Sequence, residues 1–226
     1  MKLLAFLLDL LLKPVVWYYH KSRTISIYLK ARLPRGAKVL DIGSGSNPWF
    51  RSNVLFEKYP DDDTERGGRL VRDGREIVFG DAEKLPFPDK HFDFVYCSHV
   101  AEHVENIGLF FQEIQRVGKA GYIETPNYIF EQAIGTTTHS WALFVEGHVL
   151  HAEKKWMAGA PSKTYRAMHH LLARHPLFAF CFIGIEELAV MRFWWKNRFD
   201  YAIHPAPSPL EETCAKPEAG SLKADF

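Results

Sequence analysis

At 226 residues, 47% of them apolar and 24% charged, the chain has room for one sizeable core with appendages and the composition of an ordinary globular protein. Its 28 Lys and Arg balance 27 Asp and Glu, which excludes the basic excess of a nucleic-acid binder. Cys97, Cys181 and Cys214 are too scattered for a disulfide framework or a zinc spacing, so a reducing, cytoplasmic setting is expected.

The opening "MKLLAFLLDLLLKPVVWYYHKSR" is apolar but interrupted by Asp9, Lys13 and Pro14. An unbroken run of about 20 apolar residues is needed to span a bilayer, and no small-residue cleavage site follows. A helical segment over 1–33 packed on the domain is expected. The alternative is an interfacial helix with Trp17, Tyr18 and Tyr19 at headgroup level, bringing residues 1–20 against the inner face of a membrane.

Ser22 to Leu33 reads as a helix that stops at Pro34 and Gly36. "KVLDIG" follows as a short buried strand, and "NVLFEKY", Asn53 to Tyr59, as a second. Roughly ten residues separate them, near the lower limit for a parallel crossover, so the connecting helix should be a stub of one or two turns. "DDDTERGG" reads as a solvated loop. In "RLVRDGREIVFGD" strand residues flank Asp73-Gly74, a dipeptide that favours a hairpin turn, and "IVFGD" continues as a third strand. "LPFPDKHFDFVYCSH" holds a proline-broken loop and a fourth strand, Phe92 to Cys97. "VAEHVENIGLFFQEIQRV" is apolar at Val100, Val104, Ile107, Phe110 or Phe111, Ile114 and Val117, a helical period. Gly118 ends that helix and "AGYIETPN" supplies a fifth strand. The alternation predicts an α/β fold with a mostly parallel sheet and ligands at the carboxyl ends of its strands.

Past Asn127 the rhythm changes. "THSWALFVEGHVLHAEKKW" is strand-like around Glu146-Gly147, and "TYRAMHHLLARHPLFAFCFIGIEELAV" is helix-like with breaks at Pro176 and Gly184. "VMRFWWKNRFDYAIHP", turning at Lys196-Asn197, predicts a terminal antiparallel hairpin on the sheet edge. From Pro205 the composition is that of a loose tail.

The run "AKVLDIGSGSNP" carries the chemistry. Gly43 and Gly45, with Ser44 between them, let the chain turn sharply and bring backbone N–H groups close to a ligand. A dinucleotide needs a helix N-terminus aimed at its pyrophosphate, hence G-x-G-x-x-G running into a full helix. Here Pro48 stands where the third glycine belongs and the crossover is short. S-adenosylmethionine has no phosphate but presents an ammonium group, which Asp41 before the glycines would suit. Glu57, ending the second strand, can accept both ribose hydroxyls, as such a carboxylate also does for dinucleotides. Asp81-Ala82, closing the third strand, can take an adenine edge.

The ordered set "VLDIGSGSNP", "FGDAEKLPF", "FDFVYCSHVAEHV" and "GYIETPN" resembles the class I S-adenosylmethionine-dependent methyltransferases, specifically the small-molecule "type 11" group, over about Lys38 to Asn127. The resemblance implies a Rossmann-like fold and S-adenosyl-L-methionine as cofactor. It implies that Asp41, Gly43, Ser44 and Gly45 hold the methionine part, Glu57 the ribose, Asp81 and Ala82 the adenine, and that Ser98 and His99 lie near the transferring methyl. The expected domain is then 34–204, with a cofactor half over 37–127, an acceptor or lid half over 128–204, and a tail over 205–226.

In "HVAEHVE", His99 and His103 fall one helical turn apart with Glu102 between them. The spelling H-x-x-E-H occurs in an inverted metalloprotease motif. With no third ligand nearby in the chain, and set among methyltransferase strands, it reads as coincidence, and no metal site is expected. Methyl transfer is an in-line displacement needing mainly alignment, with a general base only where the acceptor starts protonated. His99 and His139 are the catalytic candidates, with His148 and Glu146 behind them.

Trp141, Phe144, Trp156, Phe178, Phe180, Phe182, Trp194 and Trp195 agree either with a core for the second half or with a small-molecule acceptor that is lipidic, quinone-like or a glycan-lipid. Two other readings stay open: a cofactor-binding regulatory or scaffold protein without catalysis, and an NAD-dependent oxidoreductase.

Overall fold

The computed structural model describes residues 22–61, 68–134, 138–155 and 189–206. The apolar residues 1–21, most of the acidic loop, the helix-like stretch within 156–188 and the tail past 206 lie outside them. So do Cys181, Cys214, Trp156, Phe178, Phe180 and Phe182.

A helix over residues 22–31 (α1) leads into β1 (Val39–Ile42), β2 (Val54–Glu57), β3 (Glu76–Phe79) and β4 (Phe94–Ser98). Then come α2 (Ile107–Val117), β5 (Ala120–Pro126), α3 (Tyr128–Ile134), β6 (Trp141–Glu146), β7 (Val149–Lys154), β8 (Val190–Lys196) and β9 (Asp200–His204). Six strands form one sheet in the order β3-β2-β1-β4-β5-β8, parallel except for β8, which runs antiparallel to β5 at the edge. The chain steps outward from β1 to β3 and then crosses back to β4. The order therefore reverses between β1 and β4, the switch point at which open α/β sheets bind ligands. This is the mostly parallel, Rossmann-like sheet expected from the sequence.

Side chains alternate across the sheet. Val39, Phe94, Tyr96 and Tyr122 face α1 and pack with Ile27 and Trp49. Leu40, Ile42, Val95, Cys97 and Ile123 point the other way, onto Phe110, Phe111, Ile114 and Val117 of α2. Strands β6, β7 and β9 form a small second sheet, held to α2 by the rings of Tyr201 and Phe199 against Phe111.

Four local expectations differ from the structure. Between Gly43 and Asn53 there are turns and no helix. The crossover is so short that Asn53 goes directly back to β1, its amide donating to Val39 O at 2.9 Å and its Oδ1 accepting from the Val39 amide at 2.8 Å. No hairpin forms at Asp73-Gly74. Gly74 does turn, with φ 93°, but Val71 donates to Gly45 O at 3.1 Å and Arg75 clasps Asp73, so the preceding segment is drawn to the glycine loop. Helix α2 starts at Ile107, because Glu83 Oε1 accepts from the amides of Glu105 and Asn106 at 2.7 and 2.9 Å, and Asn106 caps Leu109 N at 3.1 Å. Residues 99–105 are therefore a turn, and His99 and His103 do not share a helix. Finally, the chain reverses at Asn197 (φ 63°), but β9 leaves β8 and pairs in parallel with β7. Phe199 wedges between, its ring against Phe193 and Trp195.

Trp195 lies across Gly121 and Gly118. A Cβ on Gly121 would stand 2.6 Å from the Trp195 ring and 2.6 Å from Val95 O, a clash with backbone that no rotamer relieves. Gly121→Ala is expected to destabilise the domain by about 1–3 kcal/mol, read as a lower urea midpoint at unchanged slope.

Candidate functional site

At the carboxyl ends of β1 to β4 lies a cleft of about 360 Å³. Of the residues expected there, Gly43, Gly45, Glu57, Asp81, Ala82 and His99 line it. Lys58, Tyr59, His103 and Val104 line it as well, and sequence reasoning had assigned them no place in it.

The glycine loop is shaped from both ends. Gly43 has φ 69° and donates to Phe56 O at 2.8 Å. A Cβ there would stand 2.2 Å from Val100 Cγ2, so the approach of the β4 loop admits only glycine. Glu57 Oε1 accepts from Ser44 Oγ at 2.7 Å and from the Gly45 amide at 2.5 Å. Ser44 is thus buried against Glu57 and does not line the cleft. Its hydroxyl orients the carboxylate that does.

Asp41 is placed otherwise than the resemblance implies. It is buried, absent from the cleft lining, and its Oδ2 accepts from the Trp49 amide at 2.7 Å and Ser52 Oγ at 3.1 Å. Strand alternation sends Ile42 toward the cleft and Asp41 toward the α1 face, where Trp49 and Ser52 sit. The carboxylate takes over the work of the missing crossover helix. Burial pushes its pKa up to about 7, against the lowering effect of those two donors and of Arg75.

At the end of β3, Asp81 pairs with Lys58 at 2.9 Å and accepts from the Glu83 amide at 2.9 Å. Burial disfavours its charge, but these two partners outweigh burial and hold the carboxyl below its ordinary range. At the end of β4, Ser98 does not line the cleft; its hydroxyl donates to Glu124 Oε1 at 2.9 Å. His99 does, in the left-handed region at φ 58°, a conformation a β-substituted residue keeps only when its surroundings impose it. Its amide donates to Glu124 O at 2.8 Å and its Nδ1 lies 3.2 Å from Glu102 Oε1. Burial lowers the pKa of this imidazole, but Glu102 and Glu124 more than offset that and raise it above the ordinary value.

Glu124 is the group the sequence reading passed over. It is fully buried and takes Arg23 Nη2 at 2.6 Å on one oxygen, and Tyr122 OH and Arg192 Nε (3.2 Å) on the other. A glutamate inside the apolar strand "GYIETP" was the available signal.

The remaining base candidates are not in the cleft lining. His139 Nδ1 lies 2.7 Å from Glu131 Oε2, and its ring stands edge-on to His103 at 4.6 Å. Glu146 and His148 flank Gly147 at the tip of the β6–β7 hairpin, where the turn set them. Trp141 and Trp195 are core residues and Trp194 packs beneath α1, while Phe144 faces a groove past β5.

The Asp41 environment has a pH consequence. Its folded pKa of about 7 exceeds the ordinary 3.8, so between these values the native state holds more proton than the unfolded chain. Stability then falls as pH rises through that window. Asp41→Asn is expected to gain in Tm relative to the parent as pH rises from the ordinary 3.8 to about 7 and to hold that gain above it; a difference that stays constant across the window would refute the buried, proton-holding carboxyl.

A family model described as "Methyltransferase domain" matches residues 61–123. A demethylmenaquinone methyltransferase of Staphylococcus saprophyticus is 28% identical over 113 residues, 45% of this chain and 48% of that protein. A sterol 24-C-methyltransferase of Gibberella zeae is 33% identical over 100 residues, 39% of this chain and 26% of that one. The chain thus spans about half the length of the first relative and about a quarter of the second. A solved S-adenosylmethionine-dependent methyltransferase of Archaeoglobus fulgidus is 21% identical, with 53% of this chain and 60% of that one covered and a TM-score of 0.40. The segment matched by the methyltransferase-domain model runs through β3, β4 and most of β5, so over these residues the chain is similar to a methyltransferase domain.

Proposed function

We propose that the chain transfers the methyl group of S-adenosylmethionine to a small, largely apolar acceptor. The observation that carries this reading is one cleft with two carboxylates, Glu57 and Asp81, on adjacent strand ends, beside a glycine loop with no helix behind it. A pyrophosphate is held by a helix N-terminus, and the turns from Gly43 to Asn53 offer none. Glu57 suits a ribose diol, Asp81 with Ala82 an adenine edge, and the backbone around Gly43 and Gly45 the amino-acid portion.

The cofactor, when bound, supplies a methyl already activated by a sulfonium. The chain's own part is orientation and exclusion of water. His99 is the base candidate that faces the cleft, and a proton taken there is stabilised by Glu102 and Glu124. His139 does not line the cleft and is better read as a support for His103.

For the acceptor, a groove of about 570 Å³ lies just past β5, at the same end of the sheet. Ile129, Leu143, Phe144, Val145 and Met191 line it, with Arg192 and Glu153 as polar groups. The two relatives are named for a demethylmenaquinone and a sterol, both consistent with an apolar acceptor. The apolar sequence of residues 1–20 agrees with one drawn from a membrane surface, and among the described residues no helix is long and apolar enough to cross one.

Incubation of the purified chain with methyl-labelled cofactor and a total lipid extract is expected to put label into the organic phase. Glu57→Ala, which removes a charge-assisted anchor of about 1.5–3 kcal/mol, should raise the cofactor KM roughly 10- to 100-fold. Transfer by the variant at parental KM would contradict the ribose assignment. Cofactor binding with no labelled product in any extract would favour a binding protein without catalysis.

A further inference from the structure

We propose that Glu102, His103 and His139 form a binding site for a first-row divalent transition metal at the wall of the cleft. One ligand atom from each lies within 4.8 Å of the other two, near the span of roughly 3–4 Å between donors that share an ion at about 2.0–2.2 Å. The third ligand is absent from the neighbouring sequence because it arrives from elsewhere in the fold. The amides of Ser140 and Trp141 donate to Glu102 O at 2.7 and 3.2 Å, and Trp141 Nε1 donates to Val104 O at 2.9 Å. These bonds fasten the approach to β6 onto the turn after β4 and set His139 against His103, their rings 4.6 Å apart and perpendicular. The same turn is closed by His103 N donating to Val100 O at 2.9 Å.

Two further features point to a cation. Glu102 is 1% exposed; Oε1 meets His99, while buried Oε2 has no hydrogen-bond partner among the described residues. A buried carboxylate oxygen left without a donor is costly, and a bound cation removes that cost. His139 is oriented as a metal-binding imidazole is. Its Nδ1 is engaged by Glu131, itself held by Lys155, which leaves Nε2 as the donor. A carboxylate behind the ligating histidine fixes the tautomer and raises its basicity.

Two imidazoles and one carboxylate suit zinc, iron, cobalt, nickel or manganese ions and suit magnesium or calcium poorly. Three protein ligands leave a position open, and His103 lines the cleft. If the methyltransferase reading holds, that position would take an acceptor oxygen and lower its pKa, so the acceptor would carry a hydroxyl or enol group.

The test is isothermal titration of the chelator-stripped full chain with zinc chloride, manganese chloride and magnesium chloride, with S-adenosylhomocysteine titrated into the same samples. Saturable 1:1 binding of zinc, weaker binding of manganese and none of magnesium is expected. Glu102→Gln and His139→Ala should abolish the zinc isotherm, and Glu131→Gln should weaken it about 10- to 100-fold, with S-adenosylhomocysteine affinity retained in the His139 and Glu131 variants, neither of which lines the cleft. Absence of saturable zinc binding in the parent, or unchanged binding in the variants, overturns the proposal whatever the cofactor titration shows. Should the ligand variants fail to fold, X-ray absorption of the zinc-loaded parent decides. Two imidazoles in a shell at about 2.0–2.1 Å support the site, and a shell without imidazole refutes it.

Discussion

The turn-only crossover between β1 and β2 sets what nearly every polar group around the loop has to do. A helix would have supplied its own internal bonds and a packed face; a bare loop must borrow both. Asp41 caps Trp49 and Ser52, Arg75 donates to the Trp49 carbonyl, Val71 donates to Gly45, and Glu57 receives Ser44 and Gly45. Burying Asp41 in this role costs enough to move its proton equilibrium toward neutrality. The same shortage removes the helix dipole that a pyrophosphate would require, so the local folding constraint and the ligand preference have one origin.

The β4 and β5 ends obey a different logic, that of buried charge. Glu124 is neutralised by Arg23 and Arg192, and the Arg23 contact ties α1 to the floor beneath the cleft. Buried pairs of this kind add little net stability but are expensive to break, which makes them effective at holding geometry. His99 is held in its left-handed conformation between the backbone carbonyl of Glu124 and the side chain of Glu102. Glu131 plays the corresponding part for His139 and Lys155. Three buried glutamates thus organise the histidines on this side of the sheet.

Strands β1 to β5 could be read from the chain because each is a short apolar run between turn residues, and their alternation with crossovers implied a mostly parallel sheet, though not the order of its strands. Glu57, Asp81 and Ala82 were legible as strand-end residues for the same reason. What could not be read was set by contacts distant in sequence. The apolar period from Val100 looked helical, but Glu83, reaching across from the β3 end, delays the helix to Ile107. Asp41 could be placed on its strand but not on a face, since period-two alternation is silent about which side the ligand occupies. The Asp73-Gly74 turn was real, yet the strand expected before it is drawn instead to Gly45. His139 gained its neighbours only through the backbone bonds of Ser140 and Trp141 to Glu102, a pairing with no local signature.

On this reading the cleft between the glycine loop, Glu57 and Asp81 takes an adenosyl sulfonium ligand and not a dinucleotide. Parallel calorimetric titrations of the purified chain with S-adenosylhomocysteine and with NADH test it most directly. Saturable one-to-one binding of S-adenosylhomocysteine and no heat of binding from NADH are expected. Saturable binding of NADH, with none of S-adenosylhomocysteine, would contradict it.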